Sequence, residues 1–278
     1  MNRKLLGRFG RSLGAHAVLI VFVVISLFPV FLMVITSLKS QTELIRSPFA
    51  LPQAWKWLNY YLVIVERGSY HAAVNSMIIG SATTAIVLLL SVLAAHALNL
   101  FEFRGKNVIF SAVLLALTVS EVSILIPVYQ MLQTWGLLNT LTGLVLVQVA
   151  LGLPFGIFFL TTFFRQVPKE LVDAGRLDGC SDLQLLTNVI LPVCKPAIRA
   201  LAVVQFMWAW NSLLFPLVIE TRQDLMPLSV SVIEFMGRFS LNYELVATTC
   251  VVMFLPILVL YLLTQKSFQR GVTMGAVK

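Results

Sequence analysis

The chain alternates long apolar runs with short polar ones, on the scale of whole helices and not of single turns. Six of the runs are long enough to cross ~30 Å of hydrocarbon, which takes about 20 helical residues. They cover about 15–37, 73–98, 108–129, 142–164, 197–219 and 245–265. Pro29 and Pro256 fall inside the first and last, where a kink is tolerated if neighbours satisfy the freed carbonyls. The first run is too long for the apolar part of a signal peptide and lacks a small-residue cleavage site, so it reads as a helix. The expected fold is all-α: one polytopic membrane domain, residues 1–278, with six transmembrane helices.

Composition agrees. Hydrophobic residues make up 59% of the chain and charged ones 12%, against about a quarter charged in soluble domains. A water-soluble fold would have to hide most of that surface, which a chain of 278 residues cannot do. Lys and Arg set the orientation. With the N-terminus inside, the inner segments hold 14 of them (3, 4, 8, 11, 104, 106, 165, 169, 176, 195, 199, 266, 270 and 278) and the outer segments 6. That bias places both termini in the cytoplasm, and it accounts for the net charge of +8 without a nucleic-acid partner. The longest outer loop, 38–71, clusters Trp55, Trp57, Tyr60 and Tyr61, an arrangement that serves either an interfacial aromatic belt or the docking of an external protein. No internal repeat is visible.

Catalytic chemistry is not written in the chain. It has no phosphate-cradling G-x-x-x-x-G-K-[ST], no H-E-x-x-H, no cysteine–histidine metal grouping and no buried carboxylate pair at a helical spacing that would serve acid–base work. No catalytic or metal-binding residue is therefore assigned. Cys180, Cys194 and Cys250 read as reduced packing residues, and His16, His71 and His96 are scattered singly. Glu121 is the one acidic residue well inside an apolar run; it marks either a translocation path or a misjudged span end. Asn75 and Asn211, polar within apolar runs, join it as candidates for contact with a polar solute or water.

The inner segment "PKELVDAGRLDGCSDLQLLTNVILP", 168–192, stands out for its charge and small residues. Pro168 pre-sets a first helical turn, and Glu170 and Asp173 suit the positive end of the helix dipole. Leu171, Ala174, Gly175 and Asp178 share one face, small enough for another protein to approach the backbone closely. Gly175 costs that helix on the order of 1 kcal/mol relative to Ala, so something other than helicity favours it. Gly179 fits the left-handed position that ends the helix, and Ser181 with Gln184 makes a capping box that starts the next. Leu183, Leu186 and Ile190 stripe that second helix, which Pro192 is expected to stop. The segment reads as helix, glycine turn, helix at the inner surface, serving either a docking element or an ordinary amphipathic connector.

These residues resemble the EAA loop of the membrane-spanning subunits of binding-protein-dependent ABC importers, whose pattern is E-A-A-x-x-D-G-A followed by I-x-L-P. The match runs through Asp173-Ala174-Gly175, Asp178-Gly179-Cys180 and Ile190-Leu191-Pro192. "WAWNSLLFP" at 208–216 and the tail "QKSFQRGVTMGAVK" at 265–278 fit the carbohydrate-importing branch, most closely the maltose-type G subunits. Asp173, Gly175 and Cys180 depart from the usual Glu, Ala and Ala. The resemblance implies a permease subunit in the inner membrane of a prokaryote. Its implied partners are a second six-span permease, two ATPase subunits that bind ATP and Mg, and an external binding protein that delivers a carbohydrate-like solute. It also implies that Glu170, Asp173, Ala174, Gly175, Asp178 and Gly179 form the ATPase-coupling interface. The tail, with Gly271, Met274, Gly275 and Lys278, is implied to reach the ATPases. No cofactor is expected on the chain itself, and the only other contact expected is membrane lipid. Two rivals are an ion-coupled secondary transporter, which would need coupling carboxylates and usually inverted repeats, and a non-transporting membrane scaffold, which leaves the polar residues in the spans unexplained.

Overall fold

A computed structural model describes the backbone of residues 3–236 and 242–276, and the side chains over 16–233, 235–236 and 242–265. Among these residues every regular element is a helix. The first part of the chain forms α1 (Arg3–Ser37), α2 (Gln41–Arg46), α3 (Leu58–Tyr61), α4 (Ser69–Leu100), α5 (Lys106–Ala116) and α6 (Glu121–Thr134). It continues through α7 (Leu141–Phe164), α8 (Lys169–Leu177), α9 (Asp182–Gln184) and α10 (Leu191–Asn211). The last part is α11 (Leu214–Ile219), α12 (Leu228–Glu234) and α13 (Tyr243–Ala276). Wider π turns fill Leu62–Glu66 and Leu185–Ile190.

Among the described residues five stretches are long and apolar enough to cross a membrane: His16–Ser37, Ser69–Leu100, Leu141–Phe164, Asp182–Ile219 and Tyr243–Gln265. A sixth is made only by α5 and α6 together, and these are bent by 102°. The continuous span expected over 108–129 is thus corrected to two helices. The cause is local: Thr118 and Val119 close α5 with three-residue turns, and Ser120 turns extended before Glu121 opens α6 with an acid in its first turn. The run 197–219 is also interrupted, between α10 and α11. Ser212 there is extended, and its carbonyl accepts the Ser229 hydroxyl at 2.6 Å. The side chains of α1 from Val18 to Phe28 are nearly all exposed and apolar. Such a surface is stable against hydrocarbon, where only backbone polarity must be hidden.

The chain clusters into two compact units. In the first, Met1–Ser69 with Val232–Phe254, the end of α1 is closed by side chains. Asn59 donates to the Ser37 and Lys39 carbonyls at 2.9 Å each, and the Thr248 hydroxyl donates to the Ser37 carbonyl at 3.2 Å. Lys39 is wholly buried, yet its ammonium donates to the Ser47 and Pro48 carbonyls at 2.8 and 3.0 Å, so a cation sits at the end of α2 where the dipole favours it. Trp55, Trp57 and Tyr61 remain exposed.

The second unit, Tyr70–Ser231 with Leu255–Lys278, is built around α7, which packs on α4, α5, α10 and α11. Gly152 and Gly156, one turn apart on α7, make this possible. A Cβ on Gly152 would lie 2.5 Å from Gln205 Oε1 of α10, and one on Gly156 would collide with the Ser91 hydroxyl of α4. Small residues at this spacing let apolar helices approach where no hydrophobic force drives them together. One apolar cluster gathers Ile79, Val87, Leu144 and Phe215; the other gathers Ala95, Leu160, Phe164, Leu186 and Ile190 beneath the 168–192 segment.

Candidate functional site

The segment 168–192 folds as a closed two-helix knob. Pro168 is extended (φ −56°, ψ 132°) and turns the chain into α8. At the far end Gly179 takes φ +81°, and the Gly179 and Cys180 amides donate to the Arg176 and Gly175 carbonyls, both at 3.0 Å. This pair of bonds is a Schellman cap, and it requires the left-handed glycine that the sequence offers. The capping box follows: Ser181 Oγ accepts from the Gln184 amide at 3.4 Å and Gln184 Oε1 accepts from the Ser181 amide at 2.8 Å.

Two expectations for this segment are corrected. Gly175 is buried, but against its own chain: a Cβ there would stand 2.6 Å from Leu185 Cδ2, itself fully buried. Its smallness lets the π turn lie on α8; it does not open a face to a partner. Nor does Pro192 stop the second helix. The π register carries the Leu191 amide to the Leu186 carbonyl, and Pro192 lies in the first turn of α10, where its missing N–H is harmless. The knob therefore continues without a hinge into a membrane-crossing helix, and Leu185, Leu186 and Ile190 root it in the core. Its outer side holds Glu170, Ala174 and Asp178, all exposed, together with Leu171, Leu177 and Leu183, of which Leu177 is 89% exposed; Asp173, also exposed, lies on the flank of α8 with Lys169 and Arg176.

The three path candidates are placed apart in role. Asn75 is buried, and its amide donates to the Asp224 and Met226 carbonyls at 2.8 and 3.3 Å. It fastens the 220–228 loop, which corrects its reading as a group held open to solute. Glu121 is exposed at the start of α6, at the break and not within a continuous helix. Asn211, exposed at the end of α10, donates to the Met207 carbonyl at 2.8 Å. Of the two tryptophans in the 208–216 stretch, Trp210 is buried and stacks on Phe206 at 5.7 Å, and Trp208 is exposed and meets Phe155 edge-on at 4.8 Å. Gly271, Met274 and Gly275 lie on the last turns of α13, with side chains outside the described residues, and Lys278 lies outside them altogether.

Polar residues not singled out in the sequence do much of the work inside the spans. Thr83 donates to Gln148 Oε1 at 3.3 Å, and Gln205 donates to the Gly152 carbonyl at 3.1 Å. The Gly-x-x-x-Gly spacing at 152–156 was the readable signal for this packing. At the 220–228 loop the Ser76 hydroxyl accepts the Leu228 amide at 2.8 Å, and Asn139 Oδ1 accepts from both the amide and the hydroxyl of Thr221 at 2.8 Å. Glu220 is wholly buried there. One carboxylate oxygen accepts the Arg222 amide at 3.1 Å, the other has no partner among the described residues, and desolvation raises its pKa above the usual carboxylate range.

The family model for the inner membrane component of binding-protein-dependent transport systems matches residues 87–274. The chain belongs to that family. A diacetylchitobiose uptake system permease protein of Streptomyces coelicolor is 33% identical over 263 residues, covering 94% of this chain and 87% of its own. A trehalose transport system permease protein of Mycobacterium tuberculosis is 32% identical over 255 residues, covering 91% of this chain and 93% of its own. Among solved structures, a bacterial ABC transporter that imports the acidic polysaccharide alginate superposes with a TM-score of 0.79 at 20% identity, covering 96% of this chain and 99% of that one; at that identity the likeness shows the fold. This family member is an inner-membrane component in bacteria with several membrane-crossing helices, and its relatives are transport permeases, not enzymes.

Proposed function

We propose that the chain is one of two membrane-spanning subunits of an ATP-driven, binding-protein-dependent importer for a sugar or oligosaccharide. It forms half of the translocation path as a single permease domain, with both termini in the cytoplasm. Two partner ATPase subunits bind ATP and Mg, and an external binding protein delivers the solute. Support for a sugar comes from the relatives, whose names specify diacetylchitobiose, arabinooligosaccharides and trehalose.

The observation that carries the reading is the knob at 168–192. It is capped at its central turn, rooted in the core, continuous with α10, and bears exposed leucines on its outer side. An ATPase that grips Glu170, Asp173, Ala174 and Asp178, with Gly175 and Gly179 keeping the knob closed, moves α10 as a lever. Coupling then needs the two membrane-domain states to differ in their affinity for that grip. A differential of about 5.5 kcal/mol takes an equilibrium from 1:99 to 99:1, which a floppy connector could not transmit. The tail residues Gly271, Met274, Gly275 and Lys278 are assigned to the same ATPases. Glu121 and Asn211, each beside a helix break, are assigned to the path, because irregular backbone at membrane depth is tolerated where it lines a cavity.

The test is cross-linking from Cys180 in an importer reconstituted with its ATPase, sister permease and binding protein. Adducts to the ATPase, with uptake driven by ATP and not by an ion gradient, are expected. Absence of any adduct in an intact, working complex refutes the coupling assignment.

A further inference from the structure

A cavity of about 610 Å³ lies between the end of α4, the turn into α5, the end of α7 and the flank of α8. Phe164 and Ile190, both buried, form part of its apolar floor. Four cations line it: Lys106, Arg165, Lys169 and Arg176. Two carboxylates, Glu102 and Asp173, oppose them. Glu102 is already taken by Lys106 at 2.8 Å, whose ammonium holds that carboxyl below its usual range. Arg165 covers the Phe110 ring, 5.0 Å from its centroid, and ends α7, where a cation suits the dipole.

Arg176, in the last turn of α8, also suits the dipole of its own helix, and Lys169 adds to the field that lowers the Glu102 carboxyl. Among the described residues neither is in an ion pair. Both stand on the cavity-facing side of α8 with Val172 and Asp173. Lys169 is also the first residue of α8, where the positive end of the dipole disfavours a cation and where no side chain caps the helix. An anion in the cavity would satisfy the lysine, the arginine and the helix end together. The cavity opens where two membrane-crossing helices, Ser69–Leu100 and Leu141–Phe164, come to an end, which is the depth of lipid phosphates. Basic pockets between spans at this level fit anionic headgroups, and an apolar floor beneath cations matches a phosphate with a glycerol stem.

We propose that this cavity binds the phosphate of an anionic membrane lipid, held by Lys169, Arg176 and Arg165, with the stem over Phe164. The site ties the α4–α5 turn and the end of α7 to α8. It stands independently of what α8 couples to.

The test is native mass spectrometry of the intact importer released from nanodiscs of mixed phosphatidylglycerol and phosphatidylcholine. Phosphatidylglycerol is expected to be retained about tenfold over phosphatidylcholine, since the phosphate of the latter carries a quaternary ammonium that the cations of the cavity repel. Lys169→Gln with Arg176→Gln should abolish that preference, and Lys169→Arg with Arg176→Lys should keep it, which separates lost charge from a misfolded knob. Equal retention of the two lipids, or an undiminished preference in the Gln pair, overturns the proposal. Displacement of the lipid by millimolar inorganic phosphate assigns the cations to a soluble anion and overturns the lipid assignment. A photo-cross-linker at position 169 that captures the ATPase subunit and never a lipid gives the cavity to a protein partner, and also overturns it.

Discussion

Gly179→Ala isolates the turn of the knob from everything around it. Gly179 sits at φ +81°, and no heavy atom lies within 4 Å of where a Cβ would stand. Neighbours therefore add nothing, and the cost is that of placing an L-residue in the left-handed region, about 1–2 kcal/mol. That is roughly a 5- to 30-fold rise in the opened population. The two cap bonds report it directly: in the reconstituted importer, hydrogen exchange of the Gly179 and Cys180 amides should accelerate by about that factor. Asn tolerates this conformation, so Gly179→Asn should give a smaller acceleration. Gly175→Ala provides the contrast. It gains about 1 kcal/mol of helix propensity but drives a Cβ into buried Leu185, an overpacking of about 1–3 kcal/mol, so its damage appears in the π turn and not in the cap. Solute imported per ATP hydrolysed should fall in the order wild type, Asn, Ala at position 179. Exchange at the wild-type rate in Gly179→Ala refutes the conformational account. Faster exchange with unchanged coupling refutes the lever.

Three further outcomes follow from the packing. Gly156→Ala should destabilise the permease by about 1–3 kcal/mol through overpacking against Ser91, and Ser91→Gly in the same chain should recover part of the loss; detergent thermal melts decide it, and simple additivity sinks the close-approach argument. Asn75→Ala leaves the Asp224 and Met226 carbonyls without their donor, a local loss of about 1–3 kcal/mol visible as faster exchange over 224–228; a changed solute affinity with unchanged exchange would return Asn75 to the path. Burial raises the Glu220 carboxyl, so the folded state holds its proton more tightly than the unfolded chain. The stability this gives is complete below the ordinary carboxylate value of about 4.3 and is lost as pH rises through the raised one. The melting temperature of wild type relative to Glu220→Gln should therefore fall as pH rises above the ordinary carboxylate value, and parallel curves count against it.

The sequence was legible where one residue type decides the local backbone, and illegible where a distant neighbour decides. The Gly179 turn and the Ser181–Gln184 box are properties of a few adjacent residues, and both are found as read. The break between α5 and α6 was also written locally, in Thr118, Ser120 and Glu121, but averaging hydropathy over a span hides three polar residues among many apolar ones. Gly175 and Asn75 are different in kind. Their reasons, Leu185 and the carbonyls of 224 and 226, exist only once the chain has turned back, so a small residue looked like a surface and an amide looked like a path. The same logic sorts the remaining polar groups. Thr83, Gln148 and Gln205 spend hydrogen bonds on other helices, whereas Asn211 answers only its own helix and the Glu121 side chain makes no hydrogen bond or ion pair among the described residues. Inside a membrane a polar side chain already engaged by another helix holds the fold together. One exposed at a helix break still has hydrogen-bonding capacity to offer a passing sugar hydroxyl, and this is why the path is assigned to the breaks and not to the buried core.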